Sequence, residues 1–283
     1  QFCTFCIVPF VRGKQRSRHP KALLREVQGL VESGFLEITL LGQNVNTYGR
    51  DLTMPSAPSR ARFAELLRVV DQVDGIRRIR FMSPHPHDFT PDVVDAMAEC
   101  DAVCEHIHFP LQSGSDRVLR AMRRSYRSGR YLAWLERIRA RVPGIAVTTD
   151  VIVGFPGETE DDFQDTLDVV TEARFDAAFT FQYSPRPGTP ASSFGEHVPK
   201  EVVQERFDRL VGVQERISLE KNGELEGHTL EVLGEGEGRK GNGKGRTRTN
   251  KLVHVPGTLE PGTFADVVIT EAHPHHLIGR RAS

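Results

Sequence analysis

Five times along this chain a short aliphatic run gives way to a loop rich in Gly, Pro, Ser or Asn, and helical spacing of apolar residues fills the intervals. That alternation indicates a parallel sheet wound by right-handed crossovers. The runs at 36–41, 78–82, 105–109, 145–153 and 177–183 read as strands. Among them lie helical patterns. One follows Pro20 with Leu23, Val27, Leu30 and Val31 on one face and stops at Gly34; one carries Phe63, Leu66, Leu67 and Val70. Another opens on Thr90 and Pro91 and carries Val93, Val94 and Met97; two more cover 115–123 and 129–142, and the helix 158–173 shows Phe163, Leu167 and Val170 at helical spacing. A partial or full β/α barrel fits best, closed by a helix over 199–222 with Val203, Phe207, Leu210, Gln214 and Ile217 along one stripe.

From about His228 the helical period disappears. Alternating runs at 229–233, 251–255 and 264–270, broken by Gly and Pro, predict a small all-β domain over 228–283, resting on an α/β domain over 1–225. The formal net charge of -1 supplies no global field toward nucleic acid, so any such contact comes from a local cluster. One exists: Arg239, Lys240, Lys244, Arg246, Arg248 and Lys251 crowd a glycine-rich stretch, which reads either as phosphate contacts or as a solvated loop. Four cysteines in 283 residues do not resemble a secreted disulfide framework, which points to the cytoplasm. No long apolar run or signal-type start directs the chain to a membrane.

Cys3 and Cys6 flank Thr4 and Phe5, and a basic Val-Arg-Gly-Lys stretch follows at 11–14. Alone, this spacing fits half a zinc site, a redox pair or part of an iron–sulfur ligand set. Cys100 and Cys104, just before the run 105–109, read as buried core thiols. His273, His275 and His276 lack companions at metal spacing and read as surface or strand-end residues. Glu158, Glu160, Asp161 and Asp162 open a helix, where the dipole favours carboxylates.

The strand ends carry the chemistry. They run into Gly42-Gln43-Asn44-Val45-Asn46, Ser83-Pro84-His85-Pro86, Pro110-Leu111-Gln112-Ser113-Gly114-Ser115, Gly154-Phe155-Pro156-Gly157-Glu158-Thr159 and Ser184-Pro185-Arg186-Pro187-Gly188-Thr189-Pro190. Each alone is an ordinary turn. In a β/α barrel all of them gather on one rim, where amide, hydroxyl and imidazole groups converge.

With these residues in view, the chain resembles the radical S-adenosylmethionine (SAM) methylthiotransferases over essentially its whole length. Cys3, Phe5 and Cys6 are similar to the last part of the family's Cys-x3-Cys-x2-Cys loop, whose first cysteine falls two residues before Gln1. Val8-Pro9, Arg12-Gly13 and Ser17-Arg18 are similar to the segment after it, and 154–159 to the fifth-strand signature. Gly245-Arg246-Thr247 with Asn250-Lys251-Leu252-Val253 resembles a TRAM domain, a small RNA-binding barrel. The implied fold is α/β, a radical SAM partial β/α barrel lacking its first strand, followed by an all-β TRAM domain.

The resemblance also implies ligands. A 4Fe-4S cluster is held through Cys3 and Cys6, with one iron left to chelate SAM for cleavage to an adenosyl radical. SAM is expected beside Phe5, Gln43, Asn44, His108, Gln112, Ser113, Asp150 and Gly154. Substrate and RNA contacts are expected from His85 and Arg186, and from Arg239, Lys240, Arg246, Arg248 and Lys251. A second 4Fe-4S cluster belongs, in this family, to an N-terminal domain outside the sequence. The loops at 42–46, 112–115 and 186–190 are similar to the branch that methylthiolates N6-isopentenyladenosine beside the tRNA anticodon. Alternatives are the same chemistry on threonylcarbamoyladenosine or on a ribosomal-protein aspartate, and an RNA-binding chain without activity. The implied partners are tRNA and an electron-donor protein.

Overall fold

A computed structural model describes residues 3–52, 61–238 and 241–282, so Arg239 and Lys240 of the basic cluster lie outside the described residues. Helices α1 (Val8–Arg12) and α2 (Pro20–Glu32) precede β1 (Glu37–Leu40). Proline suits the first turn of both helices, because the N–H it lacks has no partner there. Next come α3 (Phe63–Asp71), β2 (Arg78–Phe81), α4 (Pro91–Glu99), β3 (His106–His108), α5 (Asp116–Ala121) and α6 (Ser128–Arg141). The series ends with β4 (Ala146–Val153), α7 (Glu160–Ala173), β5 (Ala177–Gln182) and α8 (Lys200–Gly223). The strands are parallel and adjacent in chain order: β1 with β2, β3 with β4, β4 with β5, and a bridge from Ile79 to Val103 between the two groups. The result is an open half-barrel.

Pleating sorts its strand residues into two faces. Ile38, Ile79, Phe81, Ile107, Val147, Val151 and Val153 join the core with Leu67, Val70, Leu135, Ile138, Phe163 and Val170 of the covering helices. The other face lines the concave side. Register places Glu37 beside Arg78 and Thr39 beside Arg80, then His108 beside Thr148, Asp150 beside Phe179 and Ile152 beside Phe181. This lumen is charged at its base and apolar toward the C-terminal rim.

The C-terminal part is a closed barrel of β6 (Thr229–Glu237), β7 (Gly243–Thr247), β8 (Leu252–Val255), β9 (Phe264–Ala272) and β10 (Leu277–Arg281) around Val232, Val253, Val255, Leu259, Val267, Ile269 and Leu277. Sequence periodicity pointed to three strands there; β7 and β10 escaped it. The glycines of β7 look like a flexible loop but are a packing requirement. A Cβ on Gly245 would stand 2.4 Å from the Leu233 carbonyl oxygen, and one on Gly243 2.6 Å from the Leu259 nitrogen.

Buried charges join the two units at the N-terminal end of the half-barrel. Arg78, fully buried, donates from Nη1 to the Arg246 carbonyl at 2.8 Å and from Nη2 to the Glu231 carboxylate at 2.9 Å. Arg80 donates to the carbonyls of Arg248 at 2.7 Å and Thr247 at 2.8 Å. In return Arg248 forks onto both Glu105 oxygens at 2.8 Å, and Lys251 reaches Asp176 at 3.0 Å and Asn222 at 2.7 Å. Burial works to raise the Asp176 carboxyl, but Lys251 and Lys221 outweigh it and hold the group below its ordinary value. Among the described residues, no helix is long and apolar enough to cross a membrane.

Removing one member of such a set strands its partners. Arg78→Ala is expected to cost about 3–5 kcal/mol in urea unfolding. Arg209→Ala, which breaks the more exposed pairs to Glu160 and Glu205, should cost under about 1 kcal/mol. Equal losses would refute a charge-locked seam. His106 supplies a pH test: burial first, then Arg80, holds its ring down to about 3. A ring that must stay neutral in the fold stabilises fully above its unfolded value near 6.5, and that contribution falls away as pH drops toward about 3. At pH 5 the expected loss is about 2 kcal/mol relative to pH 7, and His106→Asn should flatten that part of the profile.

Candidate functional site

Cys3 and Cys6 bracket a turn in which the Cys6 nitrogen donates to the Cys3 carbonyl at 3.2 Å; both thiols are free and half-buried. Thr4 fastens the turn. Its nitrogen donates to the Met122 carbonyl at 3.2 Å, its hydroxyl to the Ala121 carbonyl at 3.0 Å, and its own carbonyl accepts from Ala191 at 2.9 Å. Phe5 meets Phe155 edge-on at 6.4 Å between centroids, and the Arg124 guanidinium lies 5.6 Å from the Phe5 ring centre. The turn thus hangs from the end of α5, the loop after β4 and the segment after β5, all at the C-terminal rim. A separate apolar cluster of Phe5, Val118, Met122, Phe155, Tyr183, Ala191 and Phe194 floors it.

The loop after β4 is braced from behind. Gly154 takes φ 73°, and a Cβ on it would stand 2.5 Å from Val203 Cγ2 of α8. Glu158 Oε2 accepts from the nitrogens of Gly154 at 3.0 Å and Phe155 at 3.4 Å, while Arg206 of α8 holds Oε1 at 3.0 Å. Burial pushes the Glu158 carboxyl up to about 7 against the pull of Arg206. The helix-dipole reading therefore does not account for Glu158. Helix α7 starts two residues later, with Thr159 and Asp162 forming its capping box.

Other expected ligand contacts divide by position. Gln43 is exposed on the rim. Asn44 donates from Nδ2 to Asp88 at 2.8 Å, and its Oδ1 is buried without a partner. His85 accepts on Nδ1 from the His87 nitrogen at 3.2 Å, which puts the proton of the neutral ring on Nε2, an atom also buried without a partner. Burial, then Arg124, holds His85 down to about 3, so the ring is neutral. Gln112 is buried with φ 74°, its nitrogen donating to the Asp150 carbonyl at 2.7 Å. His108 sits midway down the lumen between Thr148 at 3.0 Å and the Asp150 carboxylate at 3.2 Å. Ser113 stands apart: its hydroxyl lies 3.2 Å from Thr166 of α7, behind the rim, so it supports the loop.

Of the basic residues, Arg186 is exposed on the loop after β5, Lys244 is half-buried on β7, and Arg246 pairs with Glu235 at 3.1 Å. Arg248 and Lys251 turn inward to the seam, a role their sequence context did not suggest. Burial pushes the Cys100 thiol up to about 11 and raises Cys104 as well, the direction that disfavours a thiolate. Tyr183 was overlooked in the sequence; its hydroxyl is buried without a partner, and its ring meets Phe155 at 5.4 Å. Asn44 Oδ1, His85 Nε2 and Tyr183 Oη are three orphaned polar atoms at the ends of β1, β2 and β5. Such atoms are costly unless a ligand answers them. They suit a polar ligand at this rim, which also carries the two free thiols, while among the described residues no three metal-ligating side chains stand together.

Residues 1–170 match the radical SAM superfamily, and residues 223–281 match the TRAM domain. The chain is 56% identical to tRNA-2-methylthio-N6-dimethylallyladenosine synthase 1 of Mycobacterium marinum, over 98% of this chain and 56% of that one. It is 57% identical to tRNA-2-methylthio-N6-dimethylallyladenosine synthase of Nocardia farcinica, over 98% of this chain and 57% of that one. It therefore spans little more than half the length of these curated relatives. Among solved structures, coproporphyrinogen III oxidase from Escherichia coli superposes with TM-score 0.52 at 18% identity, over 76% of this chain and 50% of that one. Methylornithine synthase gives TM-score 0.50 at 18% identity, over 75% of this chain and 58% of that one. At such identity these two likenesses concern the fold alone.

The brace behind the rim predicts a specific failure. Gly154→Ala should destabilise the protein by about 1–3 kcal/mol through both its positive φ and the Val203 clash. Adding Val203→Ala should recover only the steric share in thermal unfolding. Full recovery would show that the backbone conformation costs nothing there.

Proposed function

The chain belongs to the radical SAM superfamily, and from that membership we propose that it is the catalytic and RNA-holding part of an enzyme transferring a methylthio group to C2 of N6-isopentenyladenosine in tRNA. The supporting observation is the seat of the Cys3–Cys6 turn, fixed by Thr4 and Phe5 to the rim where the orphaned polar atoms lie. In this reading Cys3 and Cys6 hold a 4Fe-4S cluster with one further thiolate from outside the described residues. Held by Cys3, Cys6 and that further thiolate with SAM beside it, the cluster would supply the electron that splits SAM into methionine and an adenosyl radical able to take hydrogen from an aromatic C–H.

What remains is the work of this chain's own groups. Asn44 Oδ1 offers an acceptor and neutral His85 Nε2–H a donor to a polar ligand, without bringing a charge into the site. The Gly154 backbone, free of a side chain, allows close approach, and Arg206 with Glu158 keeps that backbone still. Apolar residues under the turn limit water around it.

The proposal includes a second 4Fe-4S cluster in a preceding domain as the sulfur carrier, an electron-donor protein, and a cytoplasmic setting. The TRAM-type barrel is proposed to hold tRNA by its phosphates. Arg248 and Lys251 serve the seam, so Arg239, Lys240 and Lys244 are the better phosphate contacts, with Arg246 joining when it leaves Glu235. Arg186 on the rim is proposed to stand nearer the modified base.

Cys6→Ala in the reconstituted full-length protein should abolish reductive SAM cleavage while tRNA affinity stays unchanged. Undiminished cleavage would remove the cluster assignment. Lys244→Ala should flatten the dependence of log affinity on log salt by about one unit. An unaltered slope would withdraw Lys244 from the RNA interface.

A further inference from the structure

The last strand of the half-barrel presents an aromatic wall to the lumen. In register with β4, Asp150 stands beside Phe179 and Ile152 beside Phe181, on the face opposite the one that meets α8. That other face is covered, as Gln182 donating to Gln204 of α8 at 2.8 Å shows. Phe179 and Phe181 are 57% and 50% exposed, whereas Phe63, Phe81, Phe109, Phe155, Phe163 and Phe175 are essentially buried. Two large rings left bare side by side on a concave surface mark a binding wall more than a solvent face.

Its neighbours define what it suits. Phe179 meets His108 edge-on at 5.8 Å between centroids and borders a cavity of about 260 Å³ reaching the seam, lined also by Met82, Thr148 and Lys251. Above Phe181 on the same face comes Tyr183, which meets Phe155, which in turn meets Phe5 of the cysteine turn. The row therefore runs from the small barrel toward the two thiols. The cations at its lower end, Lys251 and Arg246, already face Asp176 and Glu235, so the wall favours a flat uncharged group over a phosphate. At the upper end Ile152 and Phe181 add an apolar patch.

We infer that Phe179 and Phe181 form the subsite for the target nucleoside: an unstacked purine lies against the rings, and an aliphatic substituent on its exocyclic nitrogen packs on Phe181 and Ile152. This rests on the function proposed above and adds the residues that recognise the alkyl group. Stacking on aromatic rings compensates the base for leaving its RNA neighbours. The apolar patch gives the alkylated base an advantage over plain adenosine.

The test uses the full-length protein and two anticodon stem-loop RNAs that differ only in an N6-dimethylallyl group on the target adenosine. Binding is read by fluorescence anisotropy without SAM, so no turnover is involved. Wild type should bind the alkylated RNA more tightly. Phe179→Ala and Phe181→Ala should each weaken that binding roughly tenfold, and Phe181→Ala should erase the preference between the RNAs. Melting temperature should not change in either variant. Phe35→Ala, an equally exposed ring ahead of β1 at 55%, should change nothing. Undiminished preference in both lumen variants, or no preference in wild type, overturns the subsite. If wild type nonetheless methylthiolates the alkylated RNA, the subsite alone is lost; if it modifies neither RNA, the proposed function falls with it.

Discussion

Arg78 and Arg80 make an open half-barrel sustainable. Five parallel strands do not close on themselves, so the concave face must meet water, a ligand or another part of the chain. At the base of this lumen two buried guanidinium groups donate to carbonyls at 246–248 and thereby to the edge of the small barrel. Guanidinium suits the task because its planar set of donors can serve several carbonyl and carboxylate oxygens at once. The acids Glu37, Glu105, Glu231 and Asp176 return the compensation, which keeps charge buried on both sides of the seam in hydrogen-bonded company.

Much of the half-barrel was legible because burial of one strand face and one helix stripe leaves a periodic trace. The five strands of the first part, and the helices whose limits the sequence set, fall within two residues of them, while the short α1 was not anticipated. The small barrel was less legible. Its β7 is Gly243-Lys244-Gly245-Arg246-Thr247, where glycine answers to the closeness of neighbouring backbones, a tertiary fact that composition disguises as flexibility. Charge misled for a related reason. Arg248 and Lys251 read as phosphate ligands because their acidic partners, Glu105 and Asp176, lie far away in sequence.

The rim shows the same division. Glycine and proline at strand ends announced the loops, whereas the Cys3–Cys6 spacing by itself left a zinc site, a redox pair and an iron–sulfur ligand set open. The brace of Glu158 and Arg206 could not be anticipated from separations of nearly fifty residues. One signal was available and passed over: Arg78 and Arg80 alternate with Ile79 and Phe81, and a polar alternation inside an otherwise buried parallel strand indicates a lumen face. The same alternation in β5, with Phe179 and Phe181 against Ala178 and Thr180, hides better, because both faces are apolar enough to pass for core.

These placements bear on how a substrate reaches the thiols. The small barrel sits at one end of the strands and the cysteine turn at the other, and the eight residues of β4 span about 26 Å at 3.3 Å each. A seam of guanidinium groups tied to carbonyls and carboxylates resists swinging, since parting it would leave several more groups unpaired at once. The distance must then be bridged by the ligand. A nucleic acid held through its phosphates on the small barrel can do so by turning one base out of its stack into the lumen, where His108 and the β5 rings lie on the way to the turn. Under the proposed function the rigid seam and the aromatic lining are complementary: the first would fix where an RNA backbone rests, and the second would give an extruded base a favourable surface along its path.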